Sequence, residues 1–261
     1  LLGTKTVQSF TPITRATTTD TFANASMIAT SSNLIVSGGS AQIQGPAPYG
    51  VALLRSTAIL RSYLAQYRTL EWSATTPTGT SVQLQVYDAT GETLVPDSQL
   101  PGNSTGFTTP SVDLSGISTS SNPSLHVFAR LVGTADDTPT LDSWSLSYDY
   151  GPLPLPNIAF TLTGEKTIGS GPSGAIAKYS ESHTTGGSAS VTIPNLEWDN
   201  YTITVGPATG YTIASACSPQ PETLSPGGSL TSQIHLVPHT TLKDSLGCTN
   251  FPSKQTSETT G

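Results

Sequence analysis

The chain has 261 residues, a net charge of −7 and only 10% charged residues, against roughly 25% in an ordinary globular chain. An acidic balance whose only basic group, Arg55, Arg61 and Arg68, is spread through a partly apolar stretch argues against nucleic acid, because phosphate binding needs clustered Lys and Arg. β-Branched and aromatic residues recur in short alternating runs, which argues against disorder, and the length suffices for two domains with separate cores.

Residues 1–20 (LLGTKTVQSFTPITRATTTD) are Thr-rich, contain Pro12 and show no helical period, so they read as an extended N-terminal arm. Such an arm is either a loose terminus or a strand donated to a neighbouring subunit. Residues 21–150 read as a β-sandwich domain, jelly-roll-like, with strands at intervals of roughly 8–12 residues. Ser81 to Tyr87 alternates Val82, Leu84 and Val86 against Gln83, Gln85 and Tyr87. Ser143 to Tyr150 alternates Trp144, Leu146, Tyr148 and Tyr150 against Ser145, Ser147 and Asp149. Both are the two-residue period of half-buried strands.

Gly151-Pro-Leu-Pro-Leu-Pro156 reads as a linker over residues 151–156, because proline cannot pair in a central strand and stiffens an extended chain. Residues 157–238 alternate again, with Ile158, Phe160 and Leu162 on one face, then Tyr201, Ile203 and Val205, then Ile234 and Leu236. This is the size and pattern of an immunoglobulin-like sandwich. Residues 239–261 form a polar tail. The fold class expected is therefore all-β, two tandem sandwiches after an N-terminal arm. Cys217 and Cys248 are the only cysteines, and an even count in a Ser/Thr-rich chain predicts a disulfide formed in an oxidising compartment. In the chain-entropy picture that bridge stabilises by about 3–4 kcal/mol and pins the tail. No stretch approaches the length of a membrane span, and a start at Leu1 rather than Met leads us to expect a processed product or a fragment.

Phe160-Thr-Leu-Thr-Gly-Glu-Lys-Thr-Ile-Gly169, Ala177-Lys-Tyr-Ser180, Asn195-Leu-Glu-Trp-Asp-Asn-Tyr-Thr-Ile203 and Gly210-Tyr211 resemble the carboxypeptidase regulatory-like and Cna B-type modules of surface proteins. The resemblance implies a prealbumin-like sandwich used as a spacer, stalk or adhesin repeat. The preceding domain, through Thr21 to Val36, Leu70 to Thr78 and Thr138 to Asp142, is similar to sandwiches of bacterial prepilin-like surface proteins. Many Cna B-type modules carry a Lys–Asn isopeptide bond promoted by a buried acid. Lys166 would be the lysine, but Tyr201 to Val205 holds no acid, so no such bond is expected there.

Chemical motifs are few. Gly169-Ser-Gly-Pro-Ser-Gly174 spells a dinucleotide fingerprint, but Pro172 and the strand-like run after it make it a turn, since the fingerprint must open a helix. His235 and His239 flank Pro238 at a strand end, where their spacing does not converge on a metal. Asp136, Asp137 and Asp142, with Asp88 and Asp113, are the candidate oxygen ligands for Ca²⁺, and no metal is assigned. Asn24, Asn103 and Asn200 each begin an Asn-x-Ser/Thr triplet.

No catalytic residue and no cofactor is expected, and the chain is not expected to be an enzyme. The expected role is an extracellular structural or adhesive subunit of a cell surface or filament, pilus-like or stalk-like, self-associating through its N-terminal arm by strand exchange. The alternative is a carbohydrate-binding module of a secreted protein, with Trp72, Tyr87 and Phe107 as candidate glycan contacts.

Overall fold

A computed structural model describes residues 1–45, 50–214 and 220–238. Every regular element among them is a strand, apart from one short 3₁₀ turn at Pro207–Thr209. No helix of the described residues is long and apolar enough to cross a membrane. The chain divides into two compact units. Arg15–Tyr150 makes one, and the residues up to Thr14 together with the described residues from Gly151 onward make the other.

The first strand, β1 (Gly3–Phe10), belongs to the second of these units. The continuous unit follows as β2 (Thr14–Asp20), β3 (Ile28–Ser32), β4 (Leu34–Ser37), β5 (Ser40–Ile43), β6 (Val51–Ser56) and β7 (Ile59–Leu60). It then runs through β8 (Leu64–Thr75), β9 (Ser81–Tyr87), β10 (Ser111–Asp113), β11 (Ser124–Val132) and β12 (Thr140–Tyr150). One sheet has the order β10-β8-β12-β5-β4, with β2 also on β12. The other runs β3-β6-β11, with β7 and β9 also on β11.

Alternation drives both sheets. In β9 the side chains of Val82, Leu84 and Val86 are buried while those between them are half-exposed. Leu54, Leu84, Val127 and Leu131 from one sheet share a core with Leu70, Trp144 and Leu146 from the other. Each such side chain contributes about 1.5–3 kcal/mol by leaving water. Behind the sheets, Asp149 accepts Arg15 Nε at 3.0 Å and Arg68 Nε at 2.8 Å. Burial pushes the Asp149 carboxyl upward, but the two guanidinium bonds outweigh it and hold the group below its usual range.

The discontinuous unit adds β13 (Ala159–Gly164), β14 (Thr167–Gly171), β15 (Gly174–Ala177), β16 (Ser180–Thr184), β17 (Ser190–Leu196) and β18 (Asp199–Val205). It ends with β19 (Tyr211–Ile213), β20 (Glu222–Leu224) and β21 (Ser229–Pro238). Its sheets run β17-β1-β21-β19 and β16-β13-β18-β20, with β14-β15 as a separate hairpin. Val7, Ile193, Ile234 and Leu236 from the first sheet pack on Phe160, Leu162, Tyr201 and Ile203 from the second. This is a two-layer sandwich with its own core.

Residues 1–20, expected as an arm, are extended, but their partners lie within the chain. β1 is a central strand, antiparallel to β17 with Val7 opposite Val191 and parallel to β21 with Val7 opposite Ser232. The parallel partnership needs a long connection, and the chain from Thr11 to Gly228, the continuous unit included, supplies it. β2 pairs instead with β12. The proline segment is paired too. Thr11 donates its amide to the Leu153 carbonyl at 2.8 Å, and Leu155 donates to Ser9 at 2.9 Å.

Candidate functional site

β1 presents Gly3, Lys5, Val7 and Ser9 inward and Thr4, Thr6, Gln8 and Phe10 outward, each inward residue buried and each outward one half-buried. Lys5 therefore enters the sandwich interior and has no exposed side-chain surface. Its ammonium donates to Glu222 Oε2 at 2.7 Å and to Ser232 Oγ at 2.5 Å, and the Ser232 hydroxyl donates to the same carboxylate. Ser232 lies on the adjacent β21, opposite Val7 and so one step along from Lys5 on the same face, whereas Glu222 sits on β20 in the facing sheet. The cluster thus ties the two layers together through the chain's first strand. Burial lowers the Lys5 pKa against the hydrogen bond and charge of Glu222, which raise it. Glu222 keeps 24% of its side chain exposed, so the carboxylate retains a path to water while the ammonium does not.

The rest of β1 is held as closely. Ser9 Oγ bonds the Leu155 carbonyl at 2.6 Å and the Thr185 hydroxyl at 2.9 Å. Gly3 lies so close to the backbone beside it that a Cβ there would meet the Gly228 carbonyl oxygen at 2.5 Å. On the outward face Thr4 pairs with Ser229 at 2.9 Å and Thr6 with Thr192 at 3.0 Å. Nothing in the sequence reading singled out Lys5, Ser9 or Glu222. The signal available was the strict alternation of Gly-Thr-Lys-Thr-Val-Gln-Ser-Phe, which places a lysine on the same face as Val7.

The residues singled out from sequence fall elsewhere. Trp72 is 8% exposed, lies in the core and stands directly opposite Trp144 in the β8–β12 pair. Tyr87 and Phe107 belong to the other sheet. Tyr87 is half-buried and packs on Phe128 with ring centroids 5.4 Å apart. Phe107 is half-buried against the core and exchanges two backbone hydrogen bonds with Leu84. The three rings are therefore not brought onto one exposed surface. A stacking platform needs an exposed ring face, which the indole of Trp72 does not offer.

Gly169 to Gly171 end β14 and Gly174 opens β15, so the stretch is a hairpin turning at Pro172 and Ser173. The carboxylates of Asp88, Asp113 and Asp142 serve local turns and strand pairs. Asp88 accepts from Thr90, Asp113 from the Ser115 amide at 2.8 Å, and Asp142 from Thr75 and Thr140. Asp136 and Asp137 donate their amides to Thr134 Oγ1. Among the described residues, no group of three or more His, Cys, Asp or Glu side chains could hold a metal ion. Lys166 is partly exposed, with its ammonium 3.2 Å from the Trp198 ring centroid and bonded to the Trp198 carbonyl. His235 is buried and stacks on Phe10 at 5.9 Å. Its backbone stands opposite Phe10 of β1 on one side, and on the other its carbonyl accepts the Ala214 amide at 2.8 Å. Cys217, Cys248 and His239 lie outside the described residues.

Of the three Asn triplets, Asn103 is fully buried and works as a piece of strand. Its amide nitrogen donates to the carbonyls of Val86 and Val95, both at 2.7 Å, and its oxygen accepts the Val86 amide at 2.8 Å. Asn24 is exposed, and Asn200 donates to Glu165 at 2.9 Å.

No protein-family model matches the chain, and no curated protein matches it. Among solved structures, the chain can be superposed on the major pilin subunit of Bacillus cereus, with 8% sequence identity and a TM-score of 0.21. The superposition covers 90% of this chain and 70% of that one. A likeness at that level carries no argument about fold or role, so the Cna B-type resemblance rests on the sequence motifs quoted above.

Proposed function

We propose that the chain is a structural subunit of an extracellular surface or filament, pilus-like or stalk-like, and that it has no catalytic role. The observation that supports this best is the seating of β1. The chain's first strand completes the interior of a sandwich whose other strands all come from beyond residue 150. A fold built this way spends its polar side chains on holding strands together. Lys5, Glu222, Ser232 and Ser9 are all engaged in such bonds, and Asn103 does the same in the other unit. The outward face of the β17-β1-β21 sheet is lined with Thr4, Thr6, Gln8, Thr192, Ser229 and Thr231. Hydroxyl and amide side chains of this kind suit a solvated or contact surface rather than a reaction site.

Electron microscopy of the native material, with antibody labelling of intact cells, tests the proposal. We expect label on the cell exterior over filaments or stalks. Label confined to the cell interior, or a dispersed monomer with catalytic turnover, would overturn it.

A further inference from the structure

Building on the reading of the chain as a self-assembling subunit, we propose that the groove between β17 and β21 accepts Gly3–Phe10 from a second copy of the chain, joining copies by exchange of β1. In this structure the groove holds the chain's own strand. Its walls select that segment closely. At the first position only glycine fits, because of the Gly228 carbonyl oxygen 2.5 Å from where a Cβ would stand. Two residues on, Glu222 and Ser232 call for a cation donor. Val7 fills the core, and Ser9 must reach Leu155 and Thr185 with a hydroxyl. A strand meeting all four demands in alternation is this sequence, and a second copy is certain to carry it.

The groove does not remain empty at low cost. Without β1, the facing edges of β17 and β21 lose a full ladder of backbone bonds, and Glu222 loses its cation. An unpaired strand edge of this length is a template for another strand. Own strand and second copy's strand make the same hydrogen bonds in the same register, so the two closed forms differ only in how β1 is connected. Swapping an identical element between copies costs little for that reason. Its extent is set by the concentration of other copies against the effective concentration of the chain's own strand. β1 is joined to its groove partners only through the long connection that begins at Thr11, since Val7 pairs with Val191 and Ser232.

Two full-length variants test this, each also carrying Cys217→Ser and Cys248→Ser. One has Thr6→Cys and the other Thr192→Cys, positions whose hydroxyls lie 3.0 Å apart in the structure. The two are unfolded, mixed, refolded together and oxidised. We expect disulfide-linked dimers containing one chain of each kind, increasing with protein concentration and reduced several-fold by Lys5→Ala in the Thr6→Cys chain. A single chain carrying both substitutions should form its link internally at high dilution, showing that both positions tolerate cysteine. If that internal link forms but the mixed sample gives no mixed dimers at any concentration, exchange is overturned. Native filaments seen alongside that failure leave the subunit reading standing. Mixed dimers without filaments keep the exchange and remove the filament.

Discussion

Lys5 is the residue on which the second unit's closure turns. A lysine with no exposed surface loses its hydration entirely, and the attraction of Glu222 and the lone pair of Ser232 must offset that loss. Removing one partner of a buried pair is costly because it strands the other, and the cost falls when the charge left behind keeps contact with water. Glu222→Ala should therefore destabilise this unit by about 3 kcal/mol. Lys5→Met keeps the stem volume and leaves only the partly hydrated Glu222 carboxylate, so its cost should be about 1 kcal/mol or less. Calorimetry of the full chain reads both as shifts of one unfolding transition. Equal losses for the two variants would contradict the assignment of Lys5 as the dehydrated partner.

At the scale of the element, the edge of β9 is closed by a loop rather than by a strand. Asn103 satisfies Val86 on both its amide and its carbonyl and reaches Val95 as well, so one side chain does the pairing of a short strand. Truncation would leave the Val86 amide and the Val95 carbonyl unmet, each costing about 1–3 kcal/mol, while the Val86 carbonyl keeps the Val95 amide at 3.0 Å. Asn103→Ala should lower the stability of the Arg15–Tyr150 unit by about 3 kcal/mol and speed amide exchange at Val86. A variant as stable as the parent would show that the loop is held by other contacts. For the same reason a glycan on Asn103 is incompatible with this fold, although the triplet is present in the sequence.

The elements legible in advance were those whose apolar residues mark one face plainly. β9, β12 and β18 follow the alternation read from Val82, Trp144 and Tyr201. β1 was not legible as a core strand, because only Val7 among its inward residues is a large apolar side chain. Gly3, Lys5 and Ser9 are inward for reasons that belong to distant partners, namely Gly228, Glu222 and Leu155. Local period cannot report contacts made more than 140 positions away. Trp72 shows the same limit from the other side, since the residue across the ladder, Trp144, accompanies it into the core.

Across the whole molecule, the order of strands along the chain and their membership of the two units do not coincide. A chain read as two sandwiches in tandem is instead one unit carried between the first strand of the other and its remainder. Folding of the interrupted unit must then join segments of large sequence separation, which makes its closure slow relative to local pairing. The central claim is that Gly3–Phe10 is an interior strand of the second unit. Hydrogen exchange of the full-length chain under native conditions measures this directly, because amides paired on both sides of a central strand open only with the unit that holds them. The account predicts that the amides of Lys5, Val7 and Ser9 exchange as slowly as those of Phe160, Leu162 and Ile203. Exchange of Gly3–Phe10 at the rate of an unpaired terminus, with β13 and β18 still protected, would contradict it.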